Sequence, residues 1–540
     1  MRKVVCQHRN DSEKDLSDAT CEGQRLSLAG NIDRKGEDTV REKSFAQNYI
    51  FNLIYQIVAI ALPLVTTPYL SRVLGADGIG QYSFAQSIVS YFALAAALGT
   101  TMYGQRQIAK VKSDSQARSQ LFFEIFIFRF LGVALACLVY CLAIMPHVNF
   151  PLLYAVAAIE ILTVALDITW FYQGVEDFGI IAIGTTLGRL VAMICVFCFV
   201  KTKEDLVLYV CLYCASILLG NLLSFLGLRR YLVRPKGVRL RILLHLLPAL
   251  ALFASQFAIQ VYTVLDKTMI GLITGSDFEN GYYEQSQKLI KVLIALVTSL
   301  GAVMASRVAV LWNTDRKKEV YPLLYGSFRL VFALGLPMAA GVALILSRFV
   351  PIFYGGGFEP VIPIIMVLVF MFPILGCSNV IGIQYLVPTG REKWLTISVL
   401  CGAGVNVILN LFFIRQWQAM GAALASVMAE LVVTTVQFVV VRKEVKIRPV
   451  IGLLLRYGLF TAVMGAVGYG IGRIAPGGAL GIACIVLPCV AIYGLLLLVT
   501  RDPVFQIFLK RRTKEATVAP GERQEARLSN DRENSDEGKA

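Results

Sequence analysis

Residues 261–272 read VYTVLDKTMIGL, the end of an apolar run that opens near Leu246. Asp266 and Lys267 stand side by side inside it. In a soluble protein a core helix could let both charges reach water. In a bilayer each needs a partner or a cavity, because an ionisable group at mid-depth costs roughly 2.5–3.5 kcal/mol on insertion scales. The rest of the chain decides between the two.

The chain has 540 residues, of which 56% are hydrophobic and 16% charged, with a mean hydropathy of +0.66. A soluble globular chain averages about 45–50% apolar and about 25% charged residues. Crossing a ~30 Å hydrocarbon layer takes about 20 mostly apolar residues at 1.5 Å rise each. Fourteen such runs can be read: 47–69, 81–103, 119–143, 149–172, 178–200, 206–228, 246–273, 287–310, 325–348, 360–386, 394–414, 419–441, 450–472 and 479–500. The period-2 alternation of a membrane barrel is absent, so the pattern predicts an all-α polytopic membrane protein. VYTVLDKTMIGL is then the end of a membrane helix. Residues 1–46 and 510–540 are hydrophilic, of mixed charge and unlike a signal peptide, and read as disordered cytoplasmic tails.

A net charge of +15 raises the question of nucleic acid. Its distribution answers otherwise. Nineteen basic residues fall in the even-numbered loops, including Arg229, Arg230, Arg234, Lys236, Arg239 and Arg241 after the sixth run, against six in the odd-numbered loops. This is the positive-inside pattern, which predicts cytoplasmic even loops, cytoplasmic termini and no nucleic-acid partner. Of twelve cysteines, Cys195/Cys198 and Cys211/Cys214 form CxxC spacings inside apolar runs, away from all three histidines. They read as small buried side chains, and no metal or cofactor is expected.

The basic linker at 229–245 separates a first lobe, 47–228, from a second, 246–441, followed by two C-terminal helices within 442–509. After the first helix of each lobe the chain reads Gly80-x-Tyr82-x-x-x-Gln86 and Gly281-x-Tyr283-x-x-x-Gln287, and Gly75 pairs with Gly275 after a one-residue gap. The spacing points to an internal duplication. Duplicated lobes flank a central pathway and rock about it, so a transporter is expected over a membrane enzyme. No phosphate-binding Gly-Lys-Ser/Thr loop, His-Glu-x-x-His or Gly-x-Ser-x-Gly motif is present.

Ionisable residues inside the runs mark the candidate pathway. In the first lobe they are Arg129, Glu160, Asp167 and Arg189, and in the second Asp266, Lys267, Lys288, Lys291, Arg307 and Glu430. At i and i+7, Glu160 and Asp167 would share a helix face. Two readings stay open: a polar cavity for an anionic cargo, or ion pairing with Glu160 set between Arg129 and Arg189. Lys288 and Lys291 could also snorkel to an interface. Asp266 and Lys267 point ~100° apart, so one would face the pathway and the other a neighbouring helix, with Lys267 the choice for the pathway.

Several stretches resemble the O-antigen-type polysaccharide flippases of the multidrug/oligosaccharidyl-lipid/polysaccharide exporter superfamily. They are Arg72-Val-Leu-Gly75 with Gly78-x-Gly80-x-Tyr82; Trp170-Phe-Tyr-Gln173-Gly174-Val-Glu176; Tyr262-Thr-Val-Leu-Asp266-Lys267; Phe353-Tyr-Gly355; Pro388-Thr-Gly390; and Asn406, Asn410 and Gly421-Ala-Ala. Together they cover residues 45–445. The resemblance implies two six-helix lobes around a cationic lumen in a bacterial inner membrane. It implies transfer of an undecaprenyl-pyrophosphate-linked oligosaccharide to the outer leaflet by alternating access. Polysaccharide polymerase and chain-length machinery would be partners, beside membrane lipids. Arg129, Arg189, Lys267 and Lys291 are then candidates for the phosphates or acidic sugars, and Glu160, Asp167, Asp266 and Glu430 for pairing, gating or ion coupling. A peptidoglycan lipid-precursor flippase, a drug/cation antiporter and, more distantly, a polysaccharide polymerase or ligase remain alternatives.

Overall fold

The computed structural model describes residues 45–233, 240–299, 301–314 and 316–504. Residues 48–540 group as one compact unit and residues 1–47 as another. Apart from Phe45 and Ala46, the expected tail at 1–46 lies outside the described residues, as do the tail at 510–540 and Arg234, Lys236 and Arg239 of the linker.

Among the described residues every regular element is helical. In chain order they are α1 (Phe45–Ala97), α2 (Thr100–Lys110), α3 (Ser115–Ala143), α4 (Pro151–Ala157), α5 (Ile159–Leu166), α6 (Thr169–Val175), α7 (Phe178–Phe199) and α8 (Leu206–Leu226). Then come α9 (Leu246–Thr274), α10 (Asp277–Thr298), α11 (Gly301–Asn313), α12 (Lys317–Phe353), α13 (Val361–Leu368), α14 (Met371–Ile381), α15 (Glu392–Val441), α16 (Ile447–Ile474) and α17 (Gly478–Val499). Among the described residues eleven helical stretches are long and apolar enough to cross a membrane. Leu131, Leu135, Leu138, Leu142, Leu455 and Leu459 are among many large apolar side chains left exposed. In water such a surface would aggregate, whereas lipid solvates it while each helix satisfies its own backbone.

Two helices are too long for one crossing: α1 has 53 residues and α15 has 50. Each is broken by one residue with positive φ, Gly75 (φ 71°) in α1 and Gln418 (φ 51°) in α15. The chain turns back at both. Gly421 lies against the Phe413 carbonyl, and Gln437 donates to Ser398 at 3.2 Å, contacts that a straight helix could not make. The amide of Ala419, first in the returning arm, donates to the Glu279 carboxylate at 3.0 Å. Around Gly75 the reference is the antiparallel pair α7/α8, where Gly184 and Gly188 meet Gly220 and Ser216. Tyr69 packs on Phe197 at the end of α7 at 4.8 Å, while Tyr82 packs on Tyr209 in α8 at 5.4 Å. Lys203, in the turn between them, reaches Asp77 at 3.4 Å. Residues before and after Gly75 therefore descend together.

The fourth run is not the continuous helix that its hydropathy predicts. It divides into α4, α5 and α6, with breaks at Ala158 and at Asp167, whose ψ of 105° is extended. The tenth divides into α13, α14 and a π turn over Gly382–Leu386. The two C-terminal helices pack on α12, where Arg348 donates to the Gly472 carbonyl at 2.7 Å and Tyr493 to that of Ala333 at 2.9 Å.

The first residues after the two duplicated turns meet each other. A side chain on Gly80 would collide with the Asp277 carbonyl, and one on Gly281 would collide with that of Ala76. In the repeat alignment Ala76 corresponds to Asp277 and Gly80 to Gly281. The two contacts are therefore reciprocal, as a two-fold axis between like surfaces requires. Nearby, Arg72 donates to the Ile352 carbonyl at 2.5 Å, and one buried cluster joins Leu74 and Val89 of α1 to Ile270, Ile290 and Tyr354.

Candidate functional site

The neighbours Asp266 and Lys267 part company as their ~100° separation demands. Asp266 turns into the second half and is buried. Its carboxylate accepts from Ser426 at 2.6 Å, from Asn410 at 2.7 Å, and from the Tyr283 hydroxyl in a short bond. Asn410 also donates to Asn406 at 3.1 Å. A buried carboxylate without donors would be prohibitively costly, and here α10 and both arms of α15 supply them.

Lys267 turns the other way, toward the seam with the first half. Its ammonium pairs with Glu284, whose other oxygen lies 3.4 Å from Lys288 one turn along α10. Glu284 also accepts from Ser83 of α1 at 3.1 Å. Lys291, exposed, lies in electrostatic range of Lys267, Glu284, Asp266 and Lys288. The side chains of Lys267 and Glu284 retain 17% and 13% of their surface, so the pair is shielded without being sealed. Three lysines face one carboxylate, since Asp266 is engaged elsewhere. The seam is cationic.

Of the two readings left open for the first half, the pairing of Glu160 with Arg129 is not seen among the described residues. Arg129 pairs with Asp167 at 2.9 Å, and Glu160 accepts from Gln86 at 2.5 Å. Glu160 and Asp167 do not share a helix face either, because α5 ends at Leu166. Asp167 instead begins the next helix, accepting from the Thr169 amide at 3.0 Å and hydroxyl at 2.6 Å. Arg129 is 2% exposed, and among the described residues its Nε and Nη1 have no hydrogen-bond partner. Arg189 is half-buried on α7, and Glu430 is buried on the returning arm of α15.

Most of the motif residues do packing work. Trp170 is fully buried, stacks on Phe122 at 5.6 Å and fills the space that Gly104 leaves open. Gly174 lets α6 approach Ile108 of α2. Gln173 is half-buried, and its carbonyl accepts the Glu176 amide at 3.3 Å. Glu176 ends α6 at φ 63° and pairs with Lys112 at 2.9 Å. Tyr82 packs edge-on to Tyr209 and Tyr213.

Glu284 was absent from the sequence-based candidates. Its signal was there: Glu284, Lys288 and Lys291 are spaced 4 and 3, which puts them on one helix face. The eighth apolar run was read from 287, which left Glu284 outside the helix that begins at Asp277. Ser426 and Ser83 carry no charge and give no such signal.

Residues 45–307, a little under half of the chain, match the family described as "Polysaccharide biosynthesis protein". A curated protein of Shigella dysenteriae, named as a candidate O-antigen transporter, is 22% identical over 384 residues, covering 69% of this chain and 93% of its own length. One of Escherichia coli K12 with the same name is 23% identical over 420 residues, covering 74% and 97%. The chain is thus similar to O-antigen-type polysaccharide transporters, a likeness that supports a multi-pass membrane transporter rather than an enzyme. The fold agrees. The lipid II flippase MurJ in an inward closed conformation superposes with a TM-score of 0.69 at 16% identity, covering 84% of this chain and all of MurJ. An inward-facing MATE-family multidrug transporter of the MOP superfamily does so at 0.55 and 14%, covering 75% and 98%.

Proposed function

We propose that this protein moves an undecaprenyl-pyrophosphate-linked oligosaccharide from the inner to the outer leaflet of a bacterial cytoplasmic membrane, by alternating access. The observation that carries the reading is the group of Lys267, Lys288 and Lys291 at the seam between the two halves. A diphosphate and a sugar cannot enter hydrocarbon unaided, since their charges and hydroxyls would lose water without replacement. Lysines at a shielded seam replace that solvation, while the polyprenyl tail stays in lipid. Arg189, half-buried on α7, extends the cationic path into the first half, and Arg129 would join it on release from Asp167.

On this reading the chain crosses the membrane fourteen times. Each hairpin, at Gly75 and at Gln418, counts as two crossings and α9 adds another. Two six-helix lobes then flank the path, with both termini in the cytoplasm. The seam around Gly80 and Gly281 lies at the outer ends, so the arrangement is closed outward. Surface-polysaccharide polymerase and chain-length machinery would receive the product.

The test is a flipping assay in proteoliposomes with a fluorescent polyprenyl-diphosphate glycan, using the wild type, K267A, R129A and R189A. Translocation by the wild type and its loss in K267A are expected. If no polyprenyl-linked glycan moves, the reading is wrong. A second reading, a carrier of the peptidoglycan lipid precursor, draws on the likeness to MurJ, and the same assay with that lipid separates the two.

A further inference from the structure

Resting on that reading of the cargo, we propose that Glu284 is a built-in substitute for the cargo's diphosphate. It holds the lysines of the seam when no cargo is present, and the cargo anion displaces it.

The first argument is where the charges stand. By the repeat alignment, Lys267, Glu284, Lys288 and Lys291 correspond to Thr67, Ser83, Ser87 and Ser90 of the first half. All four charges belong to one half, and their counterparts are uncharged hydroxyls. Packing across the seam does not need them: Ser87, for example, simply accepts a hydrogen bond from Thr268 at 3.0 Å. A lobe that keeps a carboxylate at this position among three lysines has a use for an anion there.

The second argument is the charge balance. Glu284 alone cannot neutralise Lys267, Lys288 and Lys291, and Asp266 has both oxygens engaged by Asn410, Ser426 and Tyr283. Two positive charges stay uncompensated at the seam, or one if the field of Asp266 is included. A diphosphate diester carries two negative charges. Its oxygens suit ammonium groups on successive turns of α10, which is how Lys288 and Lys291 stand.

The third argument is what Glu284 touches besides lysine. The oxygen that pairs with Lys267 also accepts the Ser83 hydroxyl at 3.1 Å, across the seam. When a diphosphate takes the lysines, Glu284 is left as an unpaired anion shielded from water and is driven to leave. Its departure breaks the bond to Ser83. Arrival of cargo thereby loosens the contact that holds the halves together at this point.

The experiment uses full-length protein in phosphatidylcholine nanodiscs, with inorganic pyrophosphate as the probe and calorimetry as the readout. E284Q is expected to bind pyrophosphate about tenfold more tightly than the wild type, because a competing charge at contact distance is gone. E284D, shorter by one methylene, is expected to fall between. K267Q combined with E284Q should lose the gain. Unchanged or weaker binding by E284Q overturns the proposal. A measurement without variants stands beside it: pyrophosphate should shield Lys288 and Lys291 of the wild type from amine-reactive labelling, read by mass spectrometry. No shielding also overturns it. Tightening in E284Q without glycan flipping supports the displacement and overturns the cargo reading; flipping without tightening does the reverse.

Discussion

Gly80 and Gly281 face each other across the seam so closely that neither can carry a side chain: each Cβ would fall on a carbonyl of the other half. Alanine at either position must push the halves apart there, at a cost of about 1–3 kcal/mol for an overpacked contact. G80A and G281A are each expected to raise the labelling rate of a cysteine at Ser83 by a membrane-impermeant thiol reagent. Labelling that stays at the parent rate in both would mean the seam does not depend on the glycine pair.

Arg129 and Asp167 form an ion pair whose arginine has lost nearly all contact with water, while the aspartate keeps 26% of its side-chain surface. Removing one partner of such a pair leaves an uncompensated charge and costs about 3–5 kcal/mol, whereas replacing both with apolar groups is much milder. D167A is therefore expected to lower the melting temperature in detergent strongly, and R129M/D167L to recover most of the loss. Equal damage from the single and double changes would show that the partners act independently.

The cage around Asp266 makes a different demand. D266A removes the acceptor shared by the Tyr283 and Ser426 hydroxyls and one Asn410 N–H, at about 1–3 kcal/mol for each buried donor left unpaired. S426A removes only one donor, so a loss nearer 1 kcal/mol is expected. Pyrophosphate binding should survive in S426A, since the cage and the lysines point to opposite sides of α9. A loss of binding as severe as in K267A would put Asp266 and its donors in the cargo path.

Glu176, although part of a recognisable motif, is expected to tolerate change. Its pair with Lys112 is exposed and contributes about 0–1 kcal/mol. Its φ of 63° is one that glycine adopts freely. E176G should keep stability within about 1 kcal/mol of the wild type and leave flipping intact, while W170A, which opens a large cavity beside Gly104, costs about 3–5 kcal/mol. A sharp loss of flipping in well-folded E176G would assign that carboxylate a role in transport.

Much of the fold could be read from apolar run length, because lipid imposes a minimum length on every crossing. The outer bounds of α9, α15, α16 and α17 fall within about three residues of the runs, whereas α10 begins ten residues and α12 eight residues before theirs. What run length could not reveal was interruption. Ala158 and Asp167 break the fourth run without lowering its hydropathy, so the shared face of Glu160 and Asp167 dissolved with the helix that was to carry it. The site was legible where two facts about one helix sufficed: ~100° per residue separates Asp266 from Lys267, and the structure sends them to opposite sides. It was illegible where pairing runs between helices. Nothing local tells Arg129 to choose Asp167 over Glu160, or Glu160 to choose Gln86. Glu284 was lost to a boundary placed ten residues late, at 287 in a helix that begins at Asp277.

The single-residue turns at Gly75 and Gln418 also bear on how the chain enters the membrane during synthesis. A helix followed by a long loop can leave the translocon and settle before the next one emerges. Here the following arm is already attached, one residue away, so the two arms partition into lipid together. The first arm of α15 carries Asn406 and Asn410 and the second carries Glu430, groups that each arm alone would expose to hydrocarbon. Inserted as a hairpin, their apolar surfaces add, and the polar groups can turn toward the protein from the start.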